Sequence, residues 1–143
     1  MKRLIFVCRG NVCRSPYAEA SAKALGFVAT SCGVDVQVRT PCEPMAITAA
    51  FRRGIDISAH VSCSIYDLSL NSEDCLVALD PSHLAVTELV AKKHGCQYTL
   101  LGLWKRRSVL TIEDPYGKPV QAFEACYASI DEALEGLTIC LSR

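Results

Sequence analysis

Cys8 and Arg14 stand six positions apart, joined by Arg9-Gly10-Asn11-Val12-Cys13 and followed by Ser15-Pro16. A thiol and a guanidinium on either side of a tight loop can do phosphate chemistry. The backbone N–H groups of the intervening residues can converge as a nest, and the positive end of a following helix favours both a bound anion and a thiolate. Arg14 offers a planar fork of donors that matches two phosphate oxygens, a geometry lysine does not reproduce. Cys8 would then lie beneath the phosphorus as nucleophile. Only the thiolate attacks, and a helix N-terminus or a nearby guanidinium favours that form, so the loop is expected to activate the sulfur. Gly10 is expected to supply a positive φ or a close backbone approach, and Asn11 to tolerate the left-handed region while its side chain ties the loop together. Ser15 is expected to cap the helix and to hydrogen-bond the sulfur, with Pro16 in the first helical turn.

These residues need a strand and a helix to hold them. Lys2 to Val7 is an apolar run that predicts a buried strand, and Pro16 to Leu25 is rich in helix formers up to Gly26. A strand, an anion loop and a helix in that order make half of a phosphate-handling α/β unit. Further along, Val28 to Ser31 predicts a short strand, and Val34 to Arg39 either prolongs it or forms a loop lining the site. Pro44 to Arg53 predicts a helix ended by Gly54, and Ser58 to Leu70 is irregular or weakly helical. Asp74 to Leu79 predicts a buried strand, Pro81 to His94 a helix closed by Gly95, and Gln97 to Leu101 the last strand. Gly102 to Pro119 is a long loop, and Val120 to about Leu137 a final helix with Ala122, Phe123, Cys126, Ile130, Ala133 and Leu134 toward one face. The expected class is therefore α/β, a doubly wound, four-stranded parallel sheet flanked by helices on both faces. Ligands of such sheets sit beyond the carboxyl ends of the strands, where the Cys8 loop lies.

Composition narrows the classes. At 143 residues, half of them hydrophobic, the chain suits a single domain over 1–143. Fifteen basic and fifteen acidic residues give no support to a nucleic-acid binder, leaving local charge at Arg9, Arg14 and Lys105-Arg106-Arg107 to attract anions. No apolar run approaches the roughly 18 residues of a membrane span. Lys2-Arg3 precedes an apolar stretch, but that stretch stops at Arg9, too short for a secretion signal. Nine cysteines, an odd count without any Cys-x-x-Cys pair, point to reduced thiols and a cytoplasmic location. His60, His83 and His94 are not spaced with cysteines as zinc ligands, so neither a metal nor a cofactor is expected. Cys32, Cys42, Cys63, Cys75, Cys96, Cys126 and Cys140 are read as small apolar side chains.

The loop resembles that of the low-molecular-weight protein tyrosine phosphatase family, C-x-G-N-x-C-R-S-P, with Cys8, Gly10, Asn11, Cys13, Arg14, Ser15 and Pro16 in every fixed place. Other segments extend the resemblance along nearly the whole chain. Ser31-Cys32-Gly33 is similar to the family's S-A-G, Glu43-Pro44-Met45-Ala46 to its acidic-Pro-x-Ala helix start, and Gly54 to His60 to its G-I-x-x-S-x-H segment. Leu76 to Asp80 resembles the third strand, and Asp114-Pro115-Tyr116 the late D-P-Y loop. The resemblance implies hydrolysis of phosphotyrosine through a phosphocysteine, with Cys8 as nucleophile and Arg14 on the phosphate. It implies Asp114 as the acid for the leaving phenolate and the base for the incoming water. Arg9, Gly10, Asn11, Val12, Cys13, Ser15 and Tyr116 would contact substrate. Ser31 and His60, with Ser58 beside them, would fix Asn11 and Ser15. Cys13 could form a reversible disulfide with Cys8, or only pack beneath the loop. The implied partner is a phosphorylated protein, a tyrosine kinase of polysaccharide export among the examples in bacterial members.

Several positions depart from the family pattern. Arg9 adds positive charge at the mouth, Val34 to Cys42 contains no aromatic, Gly117 stands where a second aromatic is usual, and Val61-Ser62-Cys63 follows His60. These bear on tyrosine selectivity more than on catalysis. Val12 is similar to the branched aliphatic of tyrosine-directed members, whereas arginine phosphatases carry Thr there; protein arginine phosphatase is the second reading. An arsenate reductase on the same fold would need a cysteine relay that Leu76 to Gly95 lacks. A non-catalytic phosphate-binding or redox module would need neither Cys8 nor Asp114.

Overall fold

The computed structural model describes residues 2–142. Its strands are β1 (Arg3–Cys8), β2 (Ala29–Gly33), β3 (Asp74–Ala78) and β4 (Gln97–Leu100), and its helices are α1 (Arg14–Ala24), α2 (Pro44–Arg52), α3 (Leu84–His94) and α4 (Val120–Leu141). The strands form one parallel sheet in the order β2-β1-β3-β4. The chain leaves β1 toward β2 on one side and returns to β3 on the other. The C-terminal end of β1 is therefore the switch point of a doubly wound sheet, where a crevice must open.

Period-two alternation sorts the side chains. Leu4, Phe6 and Cys8 join one buried cluster with α1, α2 and α4, while Ile5 and Val7 join Leu76, Val90 and Ala91 beside α3 on the opposite face. All of Leu4 to Val7 are fully buried, which is why β1 reads as a continuous apolar run. Cys8 is thus in phase with Leu4 and Phe6, at the top of a core layer rather than in a free loop. The expected elements are present with shifted ends. β1 takes in Cys8, α1 begins at Arg14 and α4 continues past Leu137 to Leu141. The expected helix from Pro81 opens as a tight 3-10 turn, Pro81–His83, because the Asp80 carboxylate caps the Ser82 amide. Another such turn, Leu101–Trp104, starts the long loop. Val34 to Arg39 does not prolong β2; part of it lines the cleft beside Cys8. Among the described residues no helix is long and apolar enough to cross a membrane.

Gly33 closes β2 against the Cys8 loop. The Val34 and Asp35 amides donate to the Cys8 and Arg9 carbonyls at 3.0 Å each, which draws β2 onto the loop. A Cβ at residue 33 would lie 2.6 Å from the Arg9 oxygen and 2.5 Å from Val36 Cγ2. Gly33→Ala is expected to lower stability by about 1–3 kcal/mol, as overpacking against fixed backbone does. Urea unfolding measures this, and an unchanged midpoint would show that the loop yields freely.

Candidate active site

Residues 8–13 turn sharply from β1 into α1, and the protein around them grips their carbonyls. The Cys8 and Arg9 oxygens accept from β2's following residues, the Asn11 oxygen faces His60 Nε2 at 3.1 Å, the Val12 oxygen accepts from the Glu43 amide at 3.0 Å, and the Cys13 oxygen accepts from the Tyr127 hydroxyl at 2.8 Å. In a planar trans peptide the N–H points opposite to the carbonyl. Each carbonyl held outward therefore turns the next amide inward. The result is a concave ring of N–H groups above Cys8, with the unpaired N–H groups of the first turn of α1 behind it.

Asn11 holds the ring in shape. It has φ +58°, the one positive φ outside glycine among the described residues, and no exposed surface. Its Nδ2 donates to Ser15 Oγ at 2.7 Å and Ser31 Oγ at 2.9 Å, and its Oδ1 accepts from the Cys63 amide at 3.0 Å and His60 Nε2 at 3.1 Å. The Cys63 amide can only donate, which fixes which end of the Asn11 amide is oxygen. His60 Nε2 faces two oxygens and so carries the hydrogen. Burial, the largest influence on His60, holds its pKa below the usual histidine value and favours that neutral ring. Ser31 passes its own hydrogen to Glu19 Oε1 at 2.6 Å, so it is free to accept from Asn11.

Ser15 Oγ lies 2.8 Å from Cys8 Sγ. Because that oxygen accepts from Asn11, its hydrogen is directed at the sulfur. The Asn11 amide also donates to the sulfur at 3.3 Å, giving two donors in the arrangement a thiolate uses. Arg14 is buried and spends Nη1 on Asp80 Oδ2 at 2.5 Å and the Ile112 carbonyl at 2.9 Å. Both Nη1 hydrogens are taken, so the parallel fork left for an anion is the Nε–Nη2 edge. Burial works against the Arg14 charge, but Cys8, Asp80 and Asp114 outweigh it and raise its pKa above the ordinary value. Burial likewise opposes the Asp80 carboxylate, and the hydrogen bonds from Ser82 and Arg14 hold it below its usual range.

Asp114 reaches the same place from the far loop. Ile112, buried, ties that loop to the end of β3 through its amide on the Leu79 carbonyl at 3.1 Å and offers its own carbonyl to Arg14. Asp114 Oδ2 then stands 3.6 Å from Arg14 Nη2, and Oδ1 accepts the Tyr116 amide at 3.1 Å. Tyr116 is 65% exposed on the rim, opposite the aliphatic Val36 and Val38. The cleft enclosed by these groups measures about 540 Å³, within the size range of small-molecule sites. Among the described residues no three His, Cys, Asp or Glu side chains are placed to hold a metal ion.

Cys8, Gly10, Asn11, Val12, Cys13, Arg14, Asp114 and Tyr116 all line this cleft, and Ser15, Ser31 and His60 adjoin it through Asn11. Arg9 also lines it, extended into solvent with Nε 3.9 Å from Asp35 Oδ2, a pairing worth little. Three expectations are corrected. The positive φ is at Asn11 and not Gly10, where an added Cβ would meet only Val12 Cγ2 at an ordinary 3.7 Å. α1 begins at Arg14, earlier than expected, so the helix cap is Cys13 with no side-chain bond and Ser15 falls inside the first turn, its hydroxyl on Asn11 and the sulfur. Ser58 does not reach Asn11; it is exposed and bonds Asp56 at 2.6 Å. Cys63 packs as expected against the apolar cluster beside α3, and its backbone amide also donates to Asn11. Asp80, Ile112, Gly33, Glu19 and Tyr127 carry supporting roles that the sequence reading did not assign. For Asp80 a signal existed, an acid directly after the strand that neighbours β1. Asn11→Ala is expected to cost about 3 kcal/mol, from lost buried hydrogen bonds and a left-handed backbone that alanine resists. Asn11→Gly should recover about 1 kcal/mol of it in denaturant melts; equal losses would show that the backbone conformation contributes nothing.

The sequence model described as low molecular weight phosphotyrosine protein phosphatase matches residues 3–143. The low molecular weight protein-tyrosine-phosphatase Etp of Escherichia coli K12 is 28% identical, covering 98% of this chain and 95% of its own. A glutaredoxin arsenate reductase of Synechocystis is 30% identical over 99% of this chain and 100% of its own. Among solved structures, a Drosophila arginine phosphatase superposes with a TM-score of 0.88 at 27% identity, covering 98% of each chain. With the match running through sheet, loop and acid segment alike, the chain belongs to the low molecular weight phosphotyrosine protein phosphatase family and is, like its members, a cysteine-dependent phosphatase.

Proposed function

We propose that this protein hydrolyses phosphotyrosine in protein substrates through a phosphocysteine on Cys8, as a single phosphatase domain working in the cytoplasm without a metal or cofactor. One observation carries the reading: the Cys8 sulfur, the free fork of Arg14 and the Asp114 carboxylate face a single cleft ringed by inward amides. The Cys8 thiolate attacks phosphorus and the P–O bond to the phenol breaks. Asp114 donates its proton to the departing oxygen while Arg14 and the amides hold the equatorial oxygens. Asp114 then takes a proton from water, the water oxygen attacks phosphorus, and the P–S bond breaks to return the thiolate and release phosphate. Ser15 stabilises the sulfur as it leaves, and Tyr116 stacks on the phenol ring.

Cys13 shares the buried loop with Cys8, and when a peroxide has oxidised Cys8 to the sulfenic acid the Cys13 thiol resolves it as a disulfide with loss of water. Burial pushes the Cys13 thiol well up, with Asp114 and Cys8 adding to it. The substrate is a phosphorylated protein, and a tyrosine kinase, which itself carries phosphotyrosine, is one such partner. The second reading is a protein arginine phosphatase. The carboxylates of Asp35 and Asp114 at the mouth would suit a guanidinium, and the Drosophila enzyme shares the fold closely. Val12 supports tyrosine. The cysteine-free stretch from Leu76 to Gly95 weighs against arsenate reduction by the relay its Synechocystis relative's name would suggest.

A parallel assay on phosphotyrosine, phosphoserine and phosphoarginine peptides tests the reading. Phosphotyrosine should turn over fastest, Cys8→Ser should abolish turnover, and Asp114→Asn should lower kcat roughly 10²- to 10³-fold with inhibition by inorganic phosphate preserved. Fastest turnover of phosphoarginine would select the second reading. Full activity in Asp114→Asn would remove that residue from the chemistry.

A further inference from the structure

One grip on the loop comes from far away in the chain. Tyr127, on α4, has no exposed surface, and its hydroxyl donates to the Cys13 carbonyl at 2.8 Å. Its ring stacks on Tyr17 of α1, centroids 3.9 Å apart and planes within 4°, with Phe123 edge-on at 6.5 Å. Tyr17 is anchored in turn: its hydroxyl lies 2.9 and 3.0 Å from the Asp131 carboxylate and accepts from Arg53 Nε at 3.2 Å. Arg53 and Asp131 pair at 2.7 Å. Two helices and the residue that closes α2 therefore immobilise one ring whose hydroxyl ends on the loop.

Packing requires the ring but not the hydroxyl, which is costly to bury unless it is bonded. The carbonyl it holds belongs to the peptide joining Cys13 to Arg14, and the N–H of that peptide points the opposite way. Arg14 opens α1, so its N–H has no partner within the helix. With the carbonyl drawn toward α4, that amide is turned toward the cleft. We propose that Tyr127 is a positioning residue of the phosphate site. By clamping the Cys13 carbonyl it aims the Arg14 amide, and with it the first turn of α1, at the bound oxyanion. The inference rests on the phosphatase reading above and deepens it.

Tyr127→Phe keeps the stack and removes the donor, while Tyr17→Phe removes a hydroxyl of the same size from the far end of the clamp. Competitive inhibition by inorganic phosphate and kcat/KM on a phosphotyrosine peptide are measured beside thermal stability. Tyr127→Phe should weaken phosphate inhibition and kcat/KM by about tenfold, the scale of one lost hydrogen bond at a charged site. Tyr17→Phe should lose stability with phosphate inhibition within about twofold of wild type, because the Cys13 clamp remains. Wild-type phosphate inhibition in Tyr127→Phe would overturn the proposal, and so would an equal loss in Tyr17→Phe. If Tyr127→Phe does not fold, the wild-type Arg14 amide and Cys13 carbonyl resonances are followed on phosphate addition. They should shift together, and an Arg14 amide indifferent to phosphate would overturn the proposal. A wild-type protein that neither binds phosphate nor turns over would instead remove the phosphatase reading.

Discussion

A peptide unit cannot point its carbonyl and its N–H the same way, and the site depends on that constraint. An anion site needs several amides aimed at one point, so the matching carbonyls must be satisfied elsewhere. Here the residues after β2 hold two of them, His60 a third, the start of α2 a fourth and Tyr127 a fifth. The loop has little choice of shape once these partners are in place. Asn11 supplies what the outside cannot, a left-handed turn from a residue whose side chain is bonded at both ends.

The same arrangement makes it possible to bury a guanidinium. A buried charge is costly unless it is paired and fully hydrogen-bonded, and Arg14 also lines the cleft. Asp80 and the Ile112 carbonyl meet one nitrogen, and Asp114 stands at ion-pair distance from another. Asp80 orients the fork, leaving the correct edge exposed. Asp114 stands beside the Nη2 end of that edge. Because Ile112 joins both interactions, the positions of Arg14 and of the Asp114 loop are not independent.

What was legible in the sequence was local or repetitive. Cys8, Asn11 and Arg14 lie within one turn of chain, the buried strands show as apolar runs, and Gly95 ends α3 in the left-handed conformation, φ +70°. What escaped depends on contacts that spacing does not encode. Asp80 meets Arg14 across 66 residues, Ile112 meets it across 98, and Tyr127 meets Cys13 across 114. Gly33 looked like part of a motif, yet its reason is the Arg9 carbonyl lying where a Cβ would be. Ser15 looked like a cap because serine commonly is one, but α1 starts one residue before it, so it falls inside the first turn with its hydroxyl on Asn11 and Cys8. The left-handed turn expected of Asn11 is there, whereas Gly10 takes neither a positive φ nor a close approach, because the sharp turn falls one residue later.

On the proposed reading this loop delivers one phosphate to one sulfur. The direct measurement is to denature the protein rapidly during turnover of a phosphotyrosine peptide and locate the phosphate on the digested chain by mass spectrometry. The account predicts phosphate on Cys8, appearing before free phosphate accumulates. Turnover without label on Cys8, or label on another residue, would contradict it.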